Sequence, residues 1–411
     1  MADGQSLTIA NSVLKNVYAK GLNEQINNET PALDRIKSTS QNITTVGGLG
    51  VQFAVHFGRN HGIGARAELE QIPDAGQQTY AVGTTGLKSL YGTVKITGQV
   101  LNQAKSDYQS FVDVVDEETS RLKTDLAKDQ NRMVYGDGTG TLATVTTNGG
   151  SSQSLVVDDV HYIGIGTRFD VLQVATLGNP TPTPHNTNGY YTVTAINKST
   201  NTITFADAAI TAVIGDVLVR SGRTSSTVGR NSWKKEWTGF SKIIDSSGSL
   251  FNIDPATWPD WAAVEYGSVG ALTELKMNAV VQDIRENGSR PTRIFTTPGC
   301  YNAYWNTLQQ MRTYVNKTDL EGGLGNLAFS TPGGNIPIMT DFDAPSGTIF
   351  YVNESEIQMN TNVGWEVIDE QGSMWQKIQG FDAFVAEWRN YSELTTRRRN
   401  AHGKQTGVTE A

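Results

Sequence analysis

The sequence is almost without cysteine. Its single thiol, Cys300, cannot close a disulfide within the chain, so a disulfide-stapled secreted scaffold is excluded and a reducing compartment is expected. No stretch approaches the roughly 18 consecutive apolar residues that a membrane helix needs. The start, Met1-Ala2-Asp3-Gly4-Gln5, has no basic segment followed by an apolar one, so no signal peptide is expected. Positive charge is not in excess either: 33 Lys and Arg face 41 Asp and Glu, a formal net charge of -8. A chain that grips nucleic acid over a broad surface is usually basic, so broad phosphate binding is not expected. Proline is sparse at 12 residues, whereas glycine reaches 42, which points to tight turns and long β-loops.

Chemical signatures are missing as well. There is no G-x-S-x-G nucleophile elbow and no G-x-x-x-x-G-K-[ST] phosphate loop. The histidines are His56, His61, His161, His185 and His402. His56 and His61 lie near Glu68 and Glu70, but no helical H-E-x-x-H accompanies them and one cysteine rules out a thiolate zinc site. These are read as solvated loop residues. Gly62-Ile63-Gly64-Ala65-Arg66-Ala67 and Gly323-Leu324-Gly325-Asn326-Leu327-Ala328 formally fit a dinucleotide-binding glycine pattern, yet neither sits between a strand and a helix. The paired carboxylates Asp341 and Asp343 are read as turn and strand-end residues, and Tyr301, Tyr304, Trp305 and Tyr314 as core. No catalytic residue, cofactor or metal site is expected.

What is present is a globular composition, 37% hydrophobic and 18% charged over 411 residues, ample for a sizeable core. Residues 1–46 read as an arm, with a short amphipathic helix suggested by Leu7, Ile9, Val13, Leu14 and Val17. Val51, Phe53, Val55 and Phe57 alternate with Gln52, Ala54 and His56, which is a β period. Val94 and Ile96 alternate with Lys95 and Thr97 in a second such stretch. The simplest reading pairs the two as a long arm whose tip runs from Gly58 to Ser89. A lone two-stranded ribbon is marginal in water, and a neighbouring copy is expected to supply its support.

The clearest helix spans about Asp107 to Tyr135. Tyr108, Phe111, Val112, Val115, Leu122, Leu126, Met133 and Val134 share one stripe, Ser106 and Asp107 are the candidate caps, and Gly136 ends it. It would be about 40 Å long. From Thr141 to Ser225 the chain turns rich in Thr, Val, Gly and Asn, with short strands at Leu155–Val157, Val171–Val174, Tyr191–Ile196, Thr202–Phe205 and Val217–Val219. This reads as a small inserted all-β module, barrel-like. Beyond Trp258 the pattern is mixed. Asp260 is the expected cap of a helix carrying Val264, Leu272, Leu275, Ala279, Val280 and Ile284, stopped by Asn287-Gly288. Strands are expected at Arg293–Thr297, Ile336–Met339, Thr348–Val352 and Ala383–Trp388, with a helix opened by Thr297-Pro298. A polar tail carrying Arg397-Arg398-Arg399 is read as solvated.

This order of parts resembles the Hong Kong 97-type capsid fold of tailed-bacteriophage major capsid proteins. Three strings also look family-like: Arg132-Met133-Val134-Tyr135-Gly136-Asp137-Gly138-Thr139-Gly140; Glu236-Trp237-Thr238-Gly239-Phe240 with Ile253-Asp254-Pro255-Ala256-Thr257-Trp258-Pro259-Asp260-Trp261-Ala262; and Thr296-Thr297-Pro298-Gly299-Cys300-Tyr301. The resemblance covers most of the chain outside 141–225. It implies an α+β fold divided into an N-terminal arm (1–46), an extended β loop (47–98), a peripheral domain with a spine helix (99–140), the inserted all-β module (141–225), a peripheral return segment (226–260), an axial α/β domain (261–378) and a C-terminal peripheral strand and tail (379–411).

The implied function is structural. Copies would associate into pentamers and hexamers of an icosahedral head, enclosing DNA without sequence-specific binding and without a membrane, after assembly in the host cytoplasm. An acidic wall suits DNA that is enclosed but not gripped. The sequence has no long N-terminal extension to act as a built-in scaffold, so a separate scaffolding protein, or none, is implied; a portal and a decoration protein are further partners. Lys88 and Lys95 lie in the extended-loop region, but no string matches a crosslinking partner, and no crosslink is expected. The candidate intersubunit contacts are Arg59, Arg66, Glu68, Glu70, Lys88, Glu321, Arg397, Arg398 and Arg399. The extended loop would lie across a neighbour, the Met311–Gly334 loop near the capsomer axis, and the β module outward. Two other readings remain open: an encapsulin-like bacterial compartment, which shares the fold, and a binding protein that uses 141–225 for glycans.

Overall fold

The computed structural model describes residues 29–38, 43–45, 50–100, 108–147, 150–185, 189–207, 209–222, 231–311, 327–369 and 375–411. The expected N-terminal helix, the caps Ser106 and Asp107, Tyr314, Glu321 and most of the Met311–Gly334 loop fall outside them. The chain divides into two compact units. One holds Lys88–Trp237 and Val363–Tyr391; the other holds Pro31–Leu87, Thr238–Asn362 and Ser392–Ala411.

The second unit begins with helix α1 (Pro31–Ser38), opened by a proline where no amide donor is needed. It buries Ala32, Leu33 and Ile36. Arg35 Nε donates to Glu354 Oε1 at 2.6 Å, and Arg293 Nε reaches the same oxygen at 2.9 Å. Burial opposes ionisation of Glu354, but the bond from Arg35 and the charge of Arg293 outweigh it and hold the carboxyl below its usual range. Strand β1 (Ile43–Thr45) follows.

Next comes an antiparallel ribbon of β2 (Gly50–Gly58) and β3 (Thr79–Gly86). The expected alternation along β2 is observed, with Val51, Phe53, Val55 and Phe57 half-buried and Gln52, Ala54 and His56 exposed. The partner strand differs from expectation. Thr79–Gly86 pairs with β2, and its Gly-Thr-Thr-Gly composition hid it from pattern reading. The support also differs: it comes from the ribbon's own unit. The Phe53 ring meets Phe251 edge-on at 5.9 Å, and Phe57 stacks on Trp258 at 4.8 Å and meets Trp261 at 6.2 Å. Two local devices make this fit. The register shifts between His56 and Gly58, a bulge that re-aims Phe57. Gly83 lies opposite Phe53, and a Cβ there would come within 2.6 Å of the ring. The receiving turn is strained: Phe251 and Asn252 have φ of 53° and 65° between Leu250 and Ile253, which exchange both backbone bonds at 3.0 Å. This geometry normally asks for Asn or Gly. The ribbon holds it, through Thr84 N to Phe251 O at 2.9 Å and Asn252 Nδ2 to Thr84 Oγ1.

In the first unit, β4 (Lys88–Thr97) alternates because it is a buried strand of another sheet, not the return strand of the ribbon. Leu90, Gly92, Val94 and Ile96 are buried, and β4 pairs with β18, introduced below. Helix α2 (Tyr108–Tyr135) matches the expected spine. Leu126 lies so close over β4 that a Cβ on Gly92 would come within 2.6 Å of it. The C-terminal end of α2 carries an ion cluster: Arg132 bridges Asp129 at 3.0 Å and Glu236 at 2.8 Å, and Arg220 reaches Asp129 at 2.8 Å. Burial works against charge on Asp129, but the two guanidiniums overcome it and hold the carboxyl down to about 2. Burial wins at Glu236, whose carboxyl is raised despite Arg132.

Strands β5 (Thr141–Thr144), β6 (Ser154–Val156), β7 (Arg168–Leu172), β8 (Tyr191–Asn197), β9 (Thr202–Phe205) and β10 (Val217–Arg220) form one sheet in the order β5-β10-β7-β8-β9-β6. An antiparallel bridge between Val145 and Val157 joins its two edges, with Thr146 N to Val156 O at 3.0 Å and Asp158 N to Thr144 O at 2.9 Å. The all-β module is therefore a closed barrel, which leaves no free edge among its described strands. Phe169, Tyr191 and Phe205 pack together at its centre.

The chain then builds the main sheet of the second unit. Val264 lies on strand β11 (Val264–Tyr266), not on a helix capped by Asp260. Helix α3 (Glu274–Glu286) starts later, with Thr273 accepting from Lys276 N, because a threonine hydroxyl there meets a free first-turn amide. Leu275, expected on its buried face, is exposed. Asn287 and Gly288 end it as expected. Strand β12 (Arg293–Thr296), helix α4 (Pro298–Met311), and strands β13 (Ala328–Thr331), β14 (Gly334–Thr340) and β15 (Ile349–Val352) follow. Strands β16 (Ile357–Val367) and β18 (Ala383–Thr396) each run through both units, and the short β17 (Gln376–Lys377) pairs with β18. In the second unit, β1 pairs in parallel with the start of β16.

The solvated tail is overturned. Strand β19 (Gly403–Gln405) enters the main sheet, whose order is β11-β19-β15-β12-β14-β13. Arg399 is fully buried. Its guanidinium donates to the carbonyls of Ile243, Gly248, Lys242 and Ser247 at 2.9–3.3 Å. His402 is also buried. Its Nδ1 accepts from Asn353 N, so its Nε2 carries the proton toward Thr396 Oγ1.

Two outcomes are expected. Gly83→Val forces Phe53 off Phe251 and should cost about 1–3 kcal/mol by chemical denaturation; an unchanged midpoint would contradict the docking. Burial, aided by the charge of Arg398, pushes His402 down to about 3, whereas the unfolded side chain takes a proton near pH 6.5. The stability from neutral His402 is thus complete above pH 6.5 and lost progressively as pH falls toward 3. His402→Gln should show a flatter stability profile across that window than the parent; parallel profiles would contradict it.

Candidate functional site

The ribbon ends in a tip, Arg59 to Gln78, whose side chains are nearly all exposed. Its backbone is held by local bonds. Asn60 Oδ1 accepts from Gly62 N at 2.7 Å, and Arg66 donates to Gln71 O at 3.1 Å and Ala65 O at 2.9 Å. A tight turn closes at Ala67–Glu70, where Glu70 N donates to Ala67 O at 3.2 Å and Ala67 N donates to the Glu70 carboxylate at 2.9 Å. The third residue of that turn is Leu69, with φ of +71°. Type II turns reserve this position for Gly or Asn, because a Cβ is strained there. Leu69 is also completely exposed at 102%, and Ile63 and Ile72 are 83% and 79% exposed. A strained, apolar, solvent-facing residue at a loop apex is costly in an isolated chain.

Within the same unit a cleft of about 670 Å³ opens beside the far end of β2. Phe57, Val55 and Trp261 supply apolar wall; Arg59, Arg397, Arg398, Asp260, Glu286 and Glu356 supply charge. Arg398 donates to the carbonyls of Asn287 and Gly288 at 3.0 and 3.4 Å, a cation placed where helix α3 leaves unpaired carbonyls. Arg59 and Arg397 have no ion-pair partner among the described residues. The indole N–H of Trp261, 1% exposed, has no acceptor among the described residues.

The structure thus brings Arg59, Arg397 and Arg398 to one cleft and places Arg66, Glu68 and Glu70 together on the tip. Lys88 stands apart, donating to Lys234 O at 3.2 Å, and Arg399 is consumed inside its own chain. Glu321 lies outside the described residues. Sequence reading missed Trp258 and Trp261 as ribbon supports, although their density in Trp258-Pro259-Asp260-Trp261 was a usable signal. It also missed the Leu69 turn, which no residue preference announces.

The other candidates serve structure where they are described. His56 Nε2 bonds Gln78 Oε1 at 2.6 Å across the ribbon. Asp341 accepts from Ala32 N at the start of α1 and from Asp343 N. Tyr301 and Tyr304 are buried, with Tyr304 against Phe329. Gly62–Ala67 lies in the tip with no helix after it. Among the described residues no group of three or more His, Cys, Asp or Glu is arranged to hold a metal ion, and no helix is long and apolar enough to cross a membrane.

Comparison with known proteins places this architecture. The profile of the SU10 major capsid protein family matches residues 171–409, more than half of the chain, beginning inside the barrel. Among solved structures, the capsid asymmetric unit of cyanophage A-1(L) is similar over 97% of this chain and 98% of its own, with a TM-score of 0.60 at 12% identity. The capsid of a native GTA particle aligns over 98% of this chain and 99% of its own at a TM-score of 0.49 and 9% identity. The SrpI encapsulin of Synechococcus elongatus PCC 7942 aligns over 99% and 96% at 0.43 and 8%. No curated protein matches the sequence. The fold is α+β and Hong Kong 97-like. On the family match and this shared fold, the chain belongs to the SU10 major capsid protein family and is a shell subunit of a tailed-phage capsid.

Proposed function

We propose that copies of this chain close into pentamers and hexamers and then into an icosahedral head that encloses a double-stranded DNA genome. The work is association, not catalysis: each subunit presents complementary edges that closed symmetry propagates. One observation carries the reading. The ribbon is anchored on its own unit by Phe53 and Phe57, yet its tip presents Ile63, Leu69 and Ile72 to solvent. A stiff arm with an apolar end suits a contact made by another copy.

In this reading the tip lies across a neighbouring subunit, with Arg66, Glu68 and Glu70 at the contact. Arg397 and Arg398 face a neighbour, as does Lys88. The Met311–Gly334 loop with Glu321 sits near the capsomer axis, and the barrel projects outward, where its closed wall tolerates solvent on all sides. The net charge of -8 favours a wall that encloses DNA without gripping it. Assembly takes place in the host cytoplasm, with or without a separate scaffolding protein, and with a portal and a decoration protein as further partners.

Replacing Arg59–Gln78 with a two-residue Asn-Gly turn should leave folded, soluble subunits that form no shells in electron micrographs. Shells of normal size from that variant would overturn the role of the tip.

A further inference from the structure

We propose that Leu69 is an anchor that seats in the cleft of a second copy of this chain, between Arg59 and Arg397 and against Trp261. The inference rests on the reading that the tip contacts a neighbour, and it names where and by what chemistry.

Two observations converge on this pairing. The first is the turn itself. Leu69 holds a left-handed φ of +71° while fully exposed. Gly or Asn would relieve that strain, and a polar residue would suit the solvent. Leucine there opposes both local preferences, which points to a contact made outside the isolated chain. The second is complementarity. The cleft joins apolar wall from Phe57 and Trp261 with a mixed charged rim of Asp260, Glu286, Glu356, Arg398, Arg59 and Arg397; Arg398 reaches Glu356 at 4.0 Å, and Arg59 and Arg397 have no ion-pair partner among the described residues. The incoming turn offers Leu69 beside Glu68, whose carboxylate makes no bond among the described residues. Glu70 is already committed to Ala67 N, so Glu68 is the acid free to meet a guanidinium. The same chain does not fill its own cleft, because Leu69 is 102% exposed.

The strain gives the proposal an unusual signature. Leu69→Asn relaxes the turn, so the isolated subunit should melt at the same or a higher temperature. Its critical concentration for assembly, read by light scattering, should nevertheless rise at least about tenfold, the loss expected for one buried leucine. Leu69→Met should assemble as the parent does. Glu68→Arg and Arg397→Glu should each impair assembly, and the double variant should restore it. Parental assembly by Leu69→Asn, or a double charge variant no better than either single one, overturns the proposal. A narrower deletion, Gly62–Gly76, which keeps Arg59 in the cleft, separates the two levels: if it blocks assembly while Leu69→Asn and the charge variants do not, the tip still contacts a neighbour and the Leu69 seat is wrong. If the deletion assembles normally, both fall.

Discussion

The arrangement depends on how a two-stranded ribbon is kept stiff in water. A lone hairpin is marginal, and this one is held by aromatic contacts from its own unit. Phe53 meets Phe251, and Phe57 stacks on Trp258 beside Trp261. Each aromatic pair contributes about 0.5–1.5 kcal/mol beyond its buried area. The set offsets part of what the left-handed pair Phe251 and Asn252 costs, about 1–3 kcal/mol for each such residue. Because the inner face is satisfied at home, what the ribbon offers outward is its tip. A preorganised arm loses less entropy on contact than one that must order at that moment.

Elsewhere the chain meets the same demand by closure. The barrel joins its edges through Val145 and Val157, so a Thr- and Val-rich module exposes no strand edge to promiscuous pairing. The main sheet takes β19 into its interior and with it Arg399 and His402. A buried guanidinium is tolerable only when its donors are satisfied; here four backbone carbonyls accept them. The cluster of Asp129, Arg132, Arg220 and Glu236 follows the same rule in the first unit, where breaking one partner would leave a buried charge uncompensated.

Much of this was legible in the sequence. The 3.6-residue stripe marked the spine helix within one residue of its start, and the period-2 pattern marked β2. The strands of the all-β module stood out by composition, and the order of parts carried the fold. The failures have physical causes. Val94 and Ile96 look like the ribbon's return strand because a buried strand and a ribbon strand share one period. Thr79–Gly86 carries two glycines and little apolar signal, so its pairing shows only in three dimensions. Arg397-Arg398-Arg399 reads as a solvated run because charge normally marks surface, and nothing local reveals that carbonyls from 242–248 await Arg399. At the candidate site, the charged residues were visible by type. Their grouping into a tip and a cleft was not, because the chain segments that line the cleft are far apart in sequence.

Hydrogen exchange of free subunits and of assembled shells tests the central claim most directly. The account predicts that the amides of Gly50–Gly58 and Thr79–Gly86 are already protected in the free subunit, while those of the tip become protected only in the shell. Ribbon amides that exchange in the free subunit as fast as an unstructured chain would contradict it.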